Sequence, residues 1–145
     1  MTDTRQAYRL VLPRYDLAWE VVRGKRKRFV WDTLRGNSRP PHWAVRHRAV
    51  KQVIHDVATL ARAAKIPAGH HLTVQLIWAP GNRRTADVDN LVPLQKVMCD
   101  ALARGRKDLP GLHLVPDDRP EFMTKRMPDI LLPPVEGLWL LVEVA

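Results

Sequence analysis

The chain is poor in cysteine, in acidic residues and in long apolar runs. Its 145 residues include one cysteine, Cys99, which excludes an intramolecular disulfide and a cysteine-based zinc site. No apolar run approaches the roughly 20 residues that a membrane-spanning helix needs, and residues 1–10 lack the apolar core of a signal peptide. No internal repeat is visible. These absences predict a protein of a reduced, cytoplasmic setting with no membrane contact.

The shortage of acidic residues leaves a large positive surplus. Twenty-four Lys and Arg residues stand against 15 Asp and Glu, which gives a formal charge of +9 and a pI near 10.4. A surplus of this size favours a polyanionic partner, with nucleic acid ahead of an anionic membrane surface; the alternative is a merely soluble basic protein. The length and the ordinary hydrophobic content of 46% predict a single globular domain over residues 1–145.

Residues 14–41 have no clean hydrophobic period and are predicted to form a basic loop. The loop contains the run RGKRKR at 23–28, flanked by Trp19, Phe29 and Trp31. Cations bind phosphates and flat rings stack on exposed bases, so this composition is typical of a nucleic-acid surface. The alternative is a solvated loop, and for the tryptophans burial in the core is the favoured interpretation. The candidate DNA contacts are Arg23, Lys25, Arg26, Lys27, Arg28, Arg83 and Arg84.

The remaining chain alternates strand and helix patterns. Apolar residues recur every 3.6 positions over residues 42–65 and again over 90–104, which predicts two helices. Asn90 or Asp89 is a candidate N-cap of the second helix, with Pro93 in its first turn. Short β-prone or alternating segments predict strands, at 8–12, 71–78, 121–126 and 137–144. The order β-α-β-α-β-β predicts an α+β fold, a four-stranded mixed sheet with two main helices packed on one face.

Two pairs of acids stand out against the basic background. Asp87 and Asp89 precede the second helix and, in an extended loop, project to the same side about 6–7 Å apart. Mg²⁺ commonly uses one or two protein carboxylates, and Asp117 with Asp118 could add ligands from a second loop. Bound ions would polarise a phosphodiester and activate water, and Lys96 could neutralise the developing charge. The alternative is ordinary helix capping and turn chemistry.

These motifs resemble the RusA-type Holliday-junction resolvases. The likeness is carried by D-V-D-N at 87–90, by Q-K-x-x-x-D-A-L at 95–102 and by the D-D pair at 117–118, with Arg83-Arg84 in front. The resemblance implies a RusA-like fold and a homodimeric endonuclease, dependent on Mg²⁺ or on Mn²⁺ in its place, that nicks four-way DNA junctions on two symmetric strands. It implies metal binding by Asp87, Asp89 and Asp118, with Asp117 competing for the third role, and a catalytic role for Lys96.

The position of the lysine differs from the family pattern D-N-x-x-K. Here five residues separate Asn90 from Lys96. On a continuous helix, three extra residues move a side chain by about 4.5 Å along the axis and about 300° around it. Lys96 is therefore expected in the site only if the helix begins later or the extra residues loop out, and Pro93 is a candidate breaker.

Overall fold

The computed structural model describes residues 5–35, 43–83 and 87–145. Its main sheet has five strands: β1 (Gln6–Val11), β4 (Leu72–Pro80), β7 (Met123–Lys125), β8 (Asp129–Ile130) and β9 (Glu136–Val144). The spatial order is β1-β9-β4-β7, and β8 pairs with β4 beyond the end of β7. β9 is antiparallel to both β1 and β4, whereas β7 and β8 run parallel to β4. The predicted α+β class with a mixed sheet is confirmed.

Among the described residues, three α-helices accompany the sheet: α1 (Phe29–Leu34), α2 (Trp43–Ala63) and α3 (Val92–Leu102). The two long helices lie where the apolar periodicity predicts them, although His42, the predicted first residue of the long N-terminal helix, falls outside the described residues. Two short hairpins complete the fold. One pairs β2 (Trp19–Val22) with β3 (Lys25–Arg28), and the other pairs β5 (Gly105–Arg106) with β6 (Leu109–Pro110).

The strands alternate between two faces, because successive side chains of a strand point to opposite sides. One side of β4 and β9 joins buried residues of α2 and α3 in the main core, as Leu76, Leu140 and Val53 illustrate. The other side carries a small cluster of Ile77, Ala79 and Trp139. The long helices therefore cover one face of the sheet, as the sequence predicts.

β8 was not predicted, so the sheet has five strands rather than four. It contains only two residues after Pro128 and is too short to show an alternating pattern. A gap separates β7 from β8, and the buried side chain of Gln95 fills it. Its Oε1 accepts from the Leu76 backbone N–H at 2.8 Å, and its Nε2 donates to the Arg126 carbonyl at 2.8 Å. The amide thus replaces the backbone partners that a continuous strand would supply.

The predicted basic loop contains regular structure. Residues 19–28 form the β2–β3 hairpin, whose turn has positive φ at Arg23 (53°) and Gly24 (77°), as a type I′ turn requires. The hairpin is tied to α2 by Arg48, which pairs with Glu20 at 3.3 Å and lies over the Phe29 ring. The composition of this segment marked it as basic but carried no hairpin signal beyond the single glycine.

No helix among the described residues is both long and apolar enough to cross a membrane.

Candidate functional site

The second predicted helix, α3, begins later in the chain than the sequence predicts. A 3-10 helix occupies Val88–Leu91, and α3 starts at Val92 with Pro93 in its first turn. Neither Asp89 nor Asn90 caps α3, because its N-cap position is Leu91, which makes no side-chain cap hydrogen bond. That prediction is wrong, and the reason is the inserted 3-10 turn. The later start is one of the two conditions under which Lys96 was expected to join the site.

Lys96 contacts the second acidic loop directly. Its ammonium donates to the Asp118 carboxylate and to Asp100 Oδ1, the latter at 2.8 Å. Lys125 of β7 reaches the same Asp118 Oδ2 at 2.7 Å. The α3 motif and the D-D loop, 22 residues apart in sequence, are therefore joined through Lys96 and Asp118.

The ion pairs continue from Asp100 to a further cation. Arg106 Nε lies 2.9 Å from Asp100 Oδ2, while Lys96 holds the other oxygen. The result is an unbroken chain of charges, with Lys125, Asp118, Lys96, Asp100 and Arg106 in succession. Sequence reasoning missed Lys125 and Arg106. The four-residue spacing of Lys96 and Asp100 on a helix was the one available signal for a pair; nothing in the sequence indicated the other two.

The charge chain shifts two pKa values. Partial burial alone would raise the pKa of Asp118, but hydrogen bonds from Lys125 and Lys96 outweigh it and hold this pKa well below its usual range. Partial burial alone would lower the pKa of Lys96, but its hydrogen bonds to Asp100 and Asp118 outweigh it and raise the value. Both groups are consequently charged at neutral pH, so the contact between Lys96 and Asp118 is an ion pair.

Asp117 has a different role from Asp118. Its Oδ1 accepts from the Asp118 backbone N–H at 2.8 Å, and Arg119 lies 3.4 Å from its Oδ2. This is the turn chemistry expected of an Asp in a loop. Of the two competing residues, Asp118 is the one that faces the lysines.

Asp87 and Asp89 lie on the connection from β4 to α3 and are exposed. Asp87 precedes the 3-10 helix, but its side chain makes no cap hydrogen bond; only its backbone carbonyl accepts, from Asn90 N–H at 3.0 Å. Within the described part of the chain, neither carboxylate has a hydrogen-bond or ion-pair partner. Helix capping therefore does not account for them. Of the neighbouring basic pair, Arg83 is exposed, and Arg84 lies outside the described residues.

The acids do not form one compact cluster. Within residues 5–35, 43–83 and 87–145, no group of three or more acidic, histidine or cysteine side chains is arranged to hold a metal ion. Asp87 and Asp89 remain a pair of free carboxylates, and the negative charge of Asp118 is compensated by two lysines. A metal centre built from Asp87, Asp89 and Asp118 together stays a prediction.

A groove opens beside the charge chain. Its volume is about 770 Å³, and it is lined by basic and acidic side chains together. Asp100, Asp117 and Asp118 supply its acids. Its basic lining consists of Lys96, Arg104, Arg106, Lys107 and His113.

The tip of the β2–β3 hairpin exposes Arg23, Lys25 and Arg26. Lys27 is half-buried, and Arg28 is held by Asp32 at 3.3 Å and by the Asp16 carbonyl at 3.4 Å. Arg28 is thus ion-paired within the fold, whereas Arg23, Lys25 and Arg26 have no acidic partner among the described residues.

The tryptophans beside the hairpin do not share one environment. Trp31 is buried with 1% exposure, as favoured from the sequence, whereas Trp19 is 48% exposed on β2. Burial was therefore the wrong interpretation for Trp19. Its ring lies 4.9 Å from the guanidinium carbons of both Arg26 and Arg28, across the hairpin.

Comparison with models of known protein families gives no match for this chain, and a search of curated proteins gives none either.

Proposed function

We propose that the protein is a metal-dependent, structure-specific DNA endonuclease that resolves Holliday junctions by paired symmetric nicks, in recombination or repair. The observation that carries the proposal is the contact between Lys96 and Asp118. It joins the two parts of the chain that resemble the RusA-type resolvases, despite the additional residues between Asn90 and Lys96. The positive charge of the chain and the exposed hairpin cations suit a DNA substrate.

Asp87 and Asp89 fit Mg²⁺ by their donor chemistry. They are two free carboxylates at one short segment, and Mg²⁺ commonly takes one or two protein carboxylates and leaves its other positions to water and phosphate. When bound, the ion would polarise the scissile phosphate and activate water. Asp118 fits a ligand role less well as it lies, because two lysines already hold its carboxylate.

The lysines would act on the phosphate. The ammonium groups of Lys96 and Lys125 converge on one carboxylate oxygen, so Asp118 fixes both in place. A preorganised cation stabilises negative charge that builds on a transferring phosphate more than a mobile one does. In this account Asp118 positions the lysines, and Asp87 and Asp89 supply the metal ligands.

Two equal cuts suit a homodimer, because a four-way junction has twofold symmetry and a twofold dimer presents two identical sites.

A nuclease of the same fold and site that prefers flaps or forks is the nearest alternative. A non-catalytic nucleic-acid-binding protein is the alternative of another class. The binding-protein alternative is favoured because lysines already pair with the Asp118 carboxylate, and because the described chain has no three-acid cluster.

The test is an incubation of the purified protein with an end-labelled four-way junction, a flap, a fork and a linear duplex of the same sequence. One set of reactions contains Mg²⁺ or Mn²⁺, and a parallel set contains a chelator instead. The proposal requires symmetric paired nicks in the junction that disappear with chelator. Nicks confined to flaps or forks would select the nearest alternative, and junction binding without nicks under either metal would leave only the binding protein.

A further inference from the structure

The β5–β6 hairpin brings cations to two neighbouring concavities. Arg106 and Lys107 line the groove beside the charge chain, and they also line a second concavity of about 320 Å³ against the start of α2. On the α2 side, the second concavity is lined by Trp43, Arg46, His47 and Val50. The two hollows therefore meet at the hairpin, and the sequence-based list of DNA contacts contains none of these residues.

The cations of this region are largely free to bind an anion. Arg46, Arg104 and Lys107 are exposed, and none of them has an acidic partner among the described residues. Arg106 is already paired with Asp100, and Asp108 is the one acid among the described residues that lines the second concavity. Arg46 and Lys107 therefore give the second concavity two unpaired positive charges against Asp108, and Arg104 adds a third unpaired charge in the adjoining groove. This local excess of positive charge attracts polyanions.

The hairpin that carries Arg106 and Lys107 is tied to the residues after α3 by backbone hydrogen bonds. The Gly111 N–H donates to the Arg104 carbonyl at 3.1 Å, and the His113 N–H donates to the Ala103 carbonyl at 2.8 Å. Gly105 has φ +85°, and a Cβ there would lie 2.2 Å from the Gly111 nitrogen, so no side chain is tolerated. Cations on a fixed hairpin lose less conformational freedom on binding than cations on a mobile loop.

An aromatic side chain, that of Trp43, also lines the second concavity. Trp43, the first residue of α2, is 75% exposed. An exposed tryptophan beside Arg46 and Lys107 combines a flat apolar ring with cations, which is a combination that nucleic-acid surfaces use. Phosphate contacts from these cations would position a duplex without reading its sequence.

We infer that Arg104, Lys107 and Arg46 form a phosphate-binding track, which carries one DNA arm from the candidate site over the β5–β6 hairpin to the start of α2. The inference rests on the proposed function and adds a second DNA contact to the β2–β3 hairpin. Because the track is sequence-independent, it serves any duplex arm that leaves the branch point.

The test compares the double variant Arg46→Ala/Lys107→Ala with wild-type protein, using a labelled four-way junction in chelator over a range of KCl concentrations. Each lost phosphate contact reduces the slope of log K against log salt by about 0.9. The double variant should therefore lose up to about two units of slope and bind about tenfold or more weakly at moderate salt.

The matched control removes the same charge elsewhere. Arg62→Ala/Lys65→Asn lies at the opposite end of α2, roughly 30 Å from Trp43 for a helix of 21 residues. Asn is chosen at position 65 because Lys65 has φ 56°, which Asn tolerates better than Ala. The control should keep the wild-type slope and affinity, with circular dichroism verifying that both doubles fold.

Two results would overturn the track. One is an Arg46→Ala/Lys107→Ala variant whose slope and affinity equal those of wild type; the other is an equal loss in both doubles, which would indicate net charge rather than a defined track. Neither depends on cleavage, so the track and the nuclease proposal fail separately when wild-type protein binds the junction. Wild-type protein that does not bind the junction would contradict both at once.

Discussion

Lys96 of α3 donates directly to the carboxylate of Asp118, which comes from the loop before β7. α3 begins at Val92, after a 3-10 turn at Val88–Leu91, and Lys96 lies in its second turn. The contact with Asp118 gives the lysine a fixed position and leaves about half of its side chain, 47%, exposed to the groove.

Replacing Lys96 by Ala should abolish most cleavage while leaving junction binding nearly intact. Loss of one preorganised charge at a transferring phosphate costs on the order of 100-fold or more in rate, whereas one phosphate contact among many contributes little to affinity. Single-turnover cleavage and gel-shift titrations of the same preparation measure the two effects. Arg62→Ala, an exposed cation at the far end of α2, is the control. Near-normal cleavage by Lys96→Ala would place the lysine outside the chemistry.

Gln95→Leu should destabilise the fold. The substitution leaves the Leu76 N–H and the Arg126 carbonyl without their partner in the gap between β7 and β8. An unsatisfied buried polar group costs about 1–3 kcal/mol, so the free energy of unfolding in urea should fall by that amount or more.

Gln75→Leu is the matched control for that measurement. Gln75 also donates to a backbone carbonyl, that of Met127 at 3.0 Å, but in an exposed setting where water can replace it. Its free energy of unfolding should change by less than about 0.5 kcal/mol. Equal losses in the two variants would show that Gln95 does not replace a missing strand.

Asp16 should make the free energy of unfolding depend on pH in the acid range. It is fully buried, and although burial alone would raise its pKa, hydrogen bonds from Arg14 and from the Trp78 indole lower it. A carboxyl with a lowered folded-state pKa contributes its stabilisation above its unfolded-state value of about 4 and loses it as pH falls through the folded-state pKa.

Asp16→Asn is therefore expected to be less stable than wild type at pH 7 and to show a smaller further loss on acidification below about pH 4. Urea unfolding at both pH values measures the two differences. The same loss on acidification in variant and wild type would assign the acid dependence to other carboxyl groups.

Cys99 should be inert in the native protein. It is completely buried on α3, and burial is the main cause that raises the pKa of its thiol to about 12. Thiolate is the reactive form, so an aromatic disulfide reagent at neutral pH should modify the thiol only after unfolding, to one equivalent per chain. Rapid modification of native protein would show that α3 opens readily.

The sequence predicted the elements whose pattern extends over many residues. The two long helices show the 3.6-residue period and β4 alternates, because each buries one defined face, while β1 and β9 are marked by their β-prone residues. The hairpin at 19–28 and the strand at Asp129–Ile130 could not be found this way. The first is mostly polar and exposed, and the second is too short for any period.

The candidate site was predictable only in its residue types. The motif placed Lys96 and the acids in one sequence window, but it did not show which acid the lysine faces. The 3-10 turn at Val88–Leu91 was not predictable either, because a change of helix type over four residues leaves no pattern in the sequence. Lys125 and Arg106 come from other elements, so their place beside Asp118 and Asp100 depended on tertiary contacts.

If the free carboxylates before α3 serve metal-dependent cleavage, Asp89→Asn should lose nicking without losing binding. The measurement is the rate of junction nicking at saturating protein and Mg²⁺, alongside the dissociation constant in chelator. Asp129→Asn, which removes an exposed acid at the start of β8, is the matched control. We expect Asp89→Asn to nick the junction at least about 100-fold more slowly than wild type and to bind it as tightly, while the control nicks and binds as wild type does. Wild-type nicking by Asp89→Asn would contradict a role of these carboxylates in cleavage.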